Sequence, residues 1–470
     1  MLSDYLYNII VDTLPFEPTS QQQDLISNLS IFMNDPSPEK VFILKGYAGT
    51  GKTSVVSALV KSLNKLQQKT VLLAPTGRAA KVLSGYSGFP AFTIHKKIYR
   101  QKSIGEYEFQ LADNLHTNTL FIVDEASMIS NSGGDSEFGS GFLLNDLIQY
   151  VYNGVDCSMI LLGDTAQLPP VMQENSPALD NQNIAGYGLK VTSFTLTQVV
   201  RQALESGILY NATLLRKALE DNLTTYMPKL KLSTFEDIKA LSGMDLVDEV
   251  QRAYNGSGVE DTIVITRSNK RANIYNNGIR GRVLMREEEI SNGDLLMITR
   301  NNYFWNKPYK EIDFIANGDI VEVIRIKKYR EMYGFRFVDL ILRSLDFDWE
   351  IDARVWLDIL HSESPAYASE MSKKLFELVS EDYVEIRNKR ERLKLIFENE
   401  YMNALQVKFA YAVTCHKAQG GQWKNVFVDM GIMPDMEIDS NFYRWLYTAL
   451  TRATEKIFLV NYSDKNNSKL

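Results

Sequence analysis

Eight short runs that are apolar on both faces punctuate the chain: VFILK at 41–45, VLLAP at 71–75, LFIVDE at 120–125, MILLGD at 159–164, TIVIT at 262–266, VKFAYAV at 407–413, VFVDM at 426–430 and IFLVN at 457–461. A strand covered on both faces needs such an unbroken run, and helical patterns between the runs supply the covering layers. The arrangement predicts parallel strands of an α/β fold. Between the first two runs Val55, Val56, Leu59, Val60, Leu63 and Leu66 recur at helical spacing, so a strand, a loop and a helix open the first domain.

Residues 291–360 follow another rule. GDIVEVIRIKKY and GFRFVDLILRSLDF alternate apolar with polar positions, and Asn-Gly-Asp stands at 292–294 and again at 317–319. Alternation marks strands with one buried face and Asn-Gly marks turns, which predicts a small antiparallel barrel or sandwich inserted in the second half. Residues 363–400 are charged and helical, with breakers only near the start, and read as a projecting arm with a solvated face. A shorter alternating stretch around Gly105, within 97–117, predicts a small hairpin, either an ordinary surface element or a wedge.

At 470 residues the chain exceeds what one core organises. The pattern divides it into a first domain at 1–190, a second at 191–290 with 402–470, and the insertion at 291–401. Net charge is −7, from 51 basic and 58 acidic residues, so nothing global advertises nucleic acid; a focused basic groove is compatible with an acidic exterior. Two distant cysteines, Cys157 and Cys415, exclude a disulfide framework and a CxxC metal site, which suits a reducing cytoplasm. The first twenty residues lack a basic, apolar, small-residue leader pattern, and no run approaches the roughly 18 apolar residues of a membrane span, so a soluble protein without a membrane partner is expected.

Gly46–Thr53, GYAGTGKT, fits GxxxxGK[ST] between the strand at 41–45 and the helix at 54–66. Chance would produce this pattern in a chain of this length with a probability on the order of one per cent. Glycines let successive N–H groups converge on a phosphate, Lys52 reaches the β- and γ-phosphates, and Thr53 offers a hydroxyl to Mg²⁺. Gly46, Ala48, Gly49, Thr50, Gly51 and Ser54 complete the predicted ATP cradle. At the end of the buried run 120–125, Asp124 is the expected Mg²⁺ carboxylate, partly through water, and Glu125 the general base. In GDTAQLPPV, Gln167 is positioned to reach a γ-phosphate.

Eight strings in order, GYAGTGKT, APTGRAA, TIHK, VDEAS, GDTAQLPPV, VVRQ, TCHKAQGGQW and YTALTRA, resemble superfamily 1 helicases of the 5′-to-3′ branch, which includes RecD-like and phage Dda-like enzymes. The resemblance implies two RecA-like domains with ATP and Mg²⁺ between them, single-stranded DNA across their top, and an SH3-like barrel for the alternating insertion. It implies an ATP-dependent DNA helicase that works as a monomer on single-stranded DNA and a duplex fork.

By the same resemblance Gln22, or its neighbours Gln21 or Gln23, reads the adenine edge; alternatively Thr19 or Ser20 simply caps a polar helix start. Arg201 and Arg452 would aim guanidinium groups at the γ-phosphate. Pro75, Thr76, Arg78, Thr93 and His95 would face DNA from the first domain, and Arg267, Asn269, Thr414 and His416 from the second, gripping phosphates without reading bases. Lys417 joins either side, while Gln419, Gly420 and Gln422 turn toward the nucleotide; Gln422 stands where the family usually has glutamate. Tyr303, Phe304 and Trp305 would either stack on bases or fill the barrel core. An RNA helicase of the same superfamily and a non-motor, ATP-regulated DNA-binding subunit are the alternatives.

Overall fold

The computed structural model describes residues 2–101, 109–133, 139–200, 205–309, 314–431 and 438–462. They cluster into two compact units, the first drawn from residues up to 100, 109–241 and 418 onward, the second from 242–417.

The first unit is built on β1 (Lys40–Gly46), β2 (Lys69–Ala74), β3 (Ala91–Thr93), β6 (Thr119–Val123), β7 (Ser158–Gly163) and β8 (Lys190–Leu196), in the order β3-β2-β6-β7-β1-β8. Every pairing within it is parallel. The α/β class with parallel sheets is as the apolar runs predict. β3 and β8, the edge strands, were not legible as runs because water reaches part of each. Helices Leu2–Thr13, Ser20–Asn34 and Lys52–Lys65 cover one face, where Leu6, Ile10, Leu25, Leu29, Leu59 and Leu63 meet Phe42, Leu72, Ile122 and Ile160 in one core. β4 (Tyr99–Gln101) and β5 (Phe109–Leu111) pair as a separate two-stranded ribbon; the hairpin tip expected around Gly105 lies outside the described residues. The unit also holds β9 (Ile238–Leu241), β17 (Trp423–Asp429) and β18 (Ala453–Val460), with β18 paired in parallel to both of the others.

In the second unit β10 (Thr262–Thr266) pairs in parallel with β16 (Ala412–Thr414). Beside them β11 (Leu295–Ile298), β12 (Ile320–Met332), β13 (Phe335–Ser344), β14 (Glu350–Trp356) and β15 (Val407–Phe409) form an antiparallel sheet in the order β14-β13-β12-β11-β15. A bridge from Val355 to Leu405, just ahead of β15, brings the far edge back to the near one.

Two expectations need correction here. The run 407–413 is not one strand: β15 pairs antiparallel with β11, the chain bends at 410–411, and β16 pairs parallel with β10. Buried Tyr411 holds the bend, its hydroxyl donating to Asp294. Both Asn-Gly pairs do form turns, at 292–293 and 317–318, while the tight hairpin between β12 and β13 falls at Tyr333-Gly334, with φ +57° and +72°, as a two-residue turn between twisted strands requires. Finally, 363–400 is not a solvated arm. Helices Pro365–Glu381 and Lys389–Phe397 bring Leu375, Val379 and Ile396 onto Phe335, Phe337 and Trp356 in a core of their own. Ala368, Met371, Leu375 and Val379 recur at helical spacing, a stripe that the surrounding charges masked in the sequence.

Candidate nucleotide site and nucleic-acid interface

Strand register assembles the site. Lys45 pairs with Gly163 and Val123 with Leu161, so the residues that follow β1, β6 and β7 emerge along one C-terminal edge: the phosphate loop, Asp124-Glu125 and Asp164. In parallel sheets that edge is where helix N-termini and loops receive ligands. Gly49 and Gly51 take φ +76° and +77°, and a Cβ on Gly51 would stand 2.4 Å from the Gln22 amide nitrogen, so the loop requires glycine there.

A cavity of about 480 Å³ opens over this edge. Gly46, Ala48, Gly49, Gly51, Lys52 and Thr53 form its floor, and Glu125, Gln167, Gln422 and Arg452 stand round it. Glu125 has a left-handed backbone (φ +50°), which turns its carboxylate out of the strand direction. Its Oε1 lies 3.7 Å from Nη1 of Arg452, while Oε2 is cut off from solvent and has no hydrogen-bond partner among the described residues. Burial raises the Glu125 pKa and the Arg452 charge opposes that rise. Gln167 is buried and its Oε1 is likewise unpartnered. Two buried acceptors without donors are costly to hold. They are groups that a nucleotide or its attacking water can satisfy. Arg201 lies outside the described residues.

Asp124 is anchored on both oxygens, Oδ1 accepting from the Glu125 N–H at 2.8 Å and Oδ2 from the Tyr86 hydroxyl at 2.5 Å. Burial, then the Asp124 charge, raise the Tyr86 pKa, so the hydroxyl stays a donor at neutral pH. The donor set fits a Mg²⁺ ion shared with a nucleotide. Thr53 and Asp124 supply oxygen, and among the described residues no group of three or more His, Cys, Asp or Glu could hold a metal. Mg²⁺ held by one carboxylate, one hydroxyl and nucleotide phosphates matches that set.

The sequence reading missed the groups that brace the site. Asp164 is almost wholly buried, its Oδ2 accepting from Tyr447 at 2.5 Å and its Oδ1 from the Ala166 N–H at 2.9 Å; burial raises its pKa. The Tyr447 hydroxyl also accepts from the Ala48 N–H of the phosphate loop at 2.9 Å. From the same helix, Ser440–Leu450, the Thr448 hydroxyl accepts from the Leu168 N–H at 2.9 Å, and Arg444 donates to the Thr165 carbonyl. Asp164 was legible by the rule that selected Asp124, an acid ending a buried strand. Tyr447 and Arg444 carry no local signal, because their partners are some 280 residues away.

Several expected ligand residues are committed elsewhere. Gln22 is fully buried; its carbonyl oxygen accepts from the Thr19 N–H and its amide donates to the Thr50 carbonyl, both at 3.0 Å, with Thr19 capping the helix. Gln21 instead bonds the backbone at Thr197 and Gln198. Gln419 donates to the Leu168 carbonyl at 2.7 Å, and Gly420 (φ +74°) packs so closely on the helix Gly77–Ser87 that a Cβ would lie 2.7 Å from that of Ala79. Of that trio only Gln422 borders the cavity.

The residues expected to face nucleic acid fall on strand ends in both units. In the first, β2 and β3 are neighbours, with Ala74 opposite Thr93. Pro75 follows β2, Thr76 caps the helix Gly77–Ser87, and Thr93 caps the helix Ile94–Ile98. Arg78 stacks 5.1 Å from the Trp423 ring and donates to the Gln422 carbonyl at 3.3 Å. His95 sits beside Tyr99, and burial lowers its pKa to about 4, so it is neutral at pH 7. In the second unit β10 and β16 are neighbours, with Thr266 opposite Thr414. Ser268 caps the helix Asn269–Gly278, Arg267 is exposed just before it, and His416 and Lys417 are exposed after buried Cys415. Tyr303 is buried, while Phe304 and Trp305 are half-buried, Trp305 donating its indole N–H to the Asn403 carbonyl at 2.8 Å with Phe304 edge-on to it.

Comparison with known proteins adds two family matches, an AAA domain over residues 20–227 and a UvrD-like helicase C-terminal domain over 409–460. An uncharacterized protein of Acanthamoeba polyphaga mimivirus is 25% identical over 93% of this chain and 98% of its own length. The ATP-dependent RecD2 DNA helicase of Deinococcus radiodurans is 25% identical over 94% of this chain, which spans only 50% of that protein. The ATP-dependent DNA helicase Pif1 of Campylobacter jejuni is 24% identical over 90% of this chain and 88% of its own length. Among solved structures, Bacteroides Pif1 with ADP-AlF3 and single-stranded DNA covers 95% of this chain and 93% of its own at 16% identity and a TM-score of 0.47. The resemblance to RecD-like superfamily 1 helicases is borne out by the two family matches together with the RecD2 and Pif1 relatives.

Proposed function

We propose that this chain, which resembles RecD-like superfamily 1 helicases, hydrolyses ATP to move 5′ to 3′ along single-stranded DNA and to unwind duplex ahead of it. The observation that carries the reading is the meeting, in one cavity, of the Gly46–Thr53 loop, Glu125 with a carboxylate oxygen unpartnered among the described residues, and Arg452 from the far end of the chain. A site built only to hold a nucleotide has no use for a desolvated carboxylate beside an arginine. A site that activates water and stabilises charge on a leaving phosphate needs both.

In this reading Lys52 binds the β- and γ-phosphates, Glu125 takes the proton of the attacking water, Gln167 orients that water, and Arg452, with Arg201, faces the developing charge. Thr53 and Asp124 would hold Mg²⁺, which neutralises phosphate charge when bound. Tyr447, bonded to both Ala48 and Asp164, ties the phosphate loop to the loop that carries Gln167, so a change at one is felt at the other. Thr76, Arg78, Thr93 and His95 in one unit, and Arg267, Asn269, Thr414, His416 and Lys417 in the other, grip phosphates in turn. RecD2 and Pif1, named as DNA helicases, support DNA over RNA as the track. The motor acts as a monomer in the cytoplasm.

The test is a tailed duplex. With ATP and Mg²⁺ the protein should separate a duplex bearing a 5′ single-stranded tail and leave one bearing a 3′ tail intact. Unwinding from the 3′ tail alone would overturn the direction, and no unwinding of either, with ATP hydrolysis intact, would overturn the helicase assignment.

A further inference from the structure

Tyr86 has no part in the mechanism above, yet its hydroxyl is spent on the Mg²⁺ carboxylate. It lies near the end of the helix Gly77–Ser87, packed against the main core of the first unit. A tyrosine hydroxyl in such a setting needs a partner, and here the partner is Asp124 Oδ2, at 2.5 Å. The backbone of Tyr86 is held as well, its carbonyl accepting from Ser57 Oγ at 2.7 Å. Ser57 belongs to the helix Lys52–Lys65, four residues after Thr53 and so one turn further along the same side.

A single helix thus reaches both expected Mg²⁺ donors, Thr53 directly in its first turn and Asp124 through Ser57 and Tyr86. With the Glu125 N–H on Oδ1 and the Tyr86 hydroxyl on Oδ2, the Asp124 carboxylate cannot rotate freely, while each oxygen keeps a lone pair for a metal-bound water. A pre-oriented carboxylate binds with less ordering cost, which is why partners of metal ligands weigh on metal affinity.

We infer that Tyr86 is a positioning residue that sets the Mg²⁺ affinity of the nucleotide site by fixing Asp124 from the phosphate-loop helix. The inference rests on the nucleotide-site reading proposed above. Its test measures binding of a fluorescent ADP analogue to the full chain, first in EDTA and then across a Mg²⁺ titration. Tyr86→Phe, which keeps the ring and removes only the hydroxyl, should raise the Mg²⁺ midpoint about tenfold and leave affinity in EDTA unchanged. ATPase activity should return at saturating Mg²⁺. Ser57→Ala should shift the midpoint the same way by less, and it carries the test alone if the tyrosine variant does not fold. A midpoint that stays put or falls in the variant that folds would overturn the role given to Tyr86. If the wild type does not bind the analogue even at saturating Mg²⁺, the nucleotide-site reading itself fails; Lys52→Ala, which should lose binding with and without Mg²⁺, ties the measured binding to this site and keeps the two failures apart.

Discussion

The nucleotide cavity and the paired strand ends start from the same material, the C-terminal edge of parallel strands, and use it in opposite ways. In the cavity, acids are driven inside and braced: Asp124 by Tyr86 and the Glu125 N–H, Asp164 by Tyr447 and the Ala166 N–H, Glu125 by Arg452. At the strand ends, Thr76, Thr93 and Ser268 spend their side chains on capping helices, while Arg267, His416 and Lys417 stay exposed. Chemistry on a phosphate needs a few groups with unmet hydrogen bonds, held where burial magnifies their charge. A grip on a sliding strand needs many weak, replaceable donors. Substitutions in the cavity should therefore act almost as switches, and those at the strand ends as graded losses.

The largest expected effect is Lys52→Ala, which should abolish ATP hydrolysis and unwinding while single-strand binding persists; wild-type turnover in steady-state assays would erase the contrast. Next, Glu125→Gln should lower hydrolysis by about 10²- to 10⁴-fold while ATP still binds, read as retained labelled nucleotide on a filter. Arg452→Ala should cost about 10³-fold and leave a pH signature. The Arg452 charge opposes the rise that burial imposes on Glu125, so without it the acid limb of the pH–rate profile should move to higher pH. At the strand ends, His416→Ala should lower the DNA-stimulated ATPase rate more than the basal one. Thr76→Ala should remove a helix cap worth about 1 kcal/mol, seen as a modest fall in melting temperature with basal hydrolysis retained.

How much was visible beforehand follows from how locally each feature is encoded. The parallel strands and the Gly46–Thr53 loop are written in contiguous residues, so run length and glycine spacing sufficed. Edge strands β3 and β8 were lost because half-exposed strands lack the continuous run. The bend at 410–411 was lost because a change of sheet leaves hydrophobicity unbroken; what marks it is the bond from Tyr411 to Asp294, 117 residues away. Gln22 was legible in two ways at once: a glutamine three residues after a threonine fits a helix cap as well as an adenine contact, and in the structure its amide bonds Thr19 and Thr50. Tyr86, Tyr447 and Arg444 were invisible because nothing in their own helices announces a partner carboxylate or carbonyl brought in by the fold.

The smallest expected effect probes what bracing costs. Burial raises the Asp164 pKa above the ordinary carboxylate value of 3.8, despite the opposing Lys52 charge and the Tyr447 hydroxyl. A carboxyl whose folded pKa is raised binds its proton more tightly when folded. Its contribution to stability is therefore complete below the unfolded value and lost as pH rises through the folded one. The nucleotide-free protein should carry that penalty at neutral pH. Asp164→Asn cannot ionise and should show a smaller fall in melting temperature between pH 4 and pH 7 than the wild type, whatever its stability at either end. Equal slopes would mean that Asp164 sits in the cavity as cheaply as an exposed acid. The line drawn between a strained interior and a relaxed rim would then run through Glu125 alone.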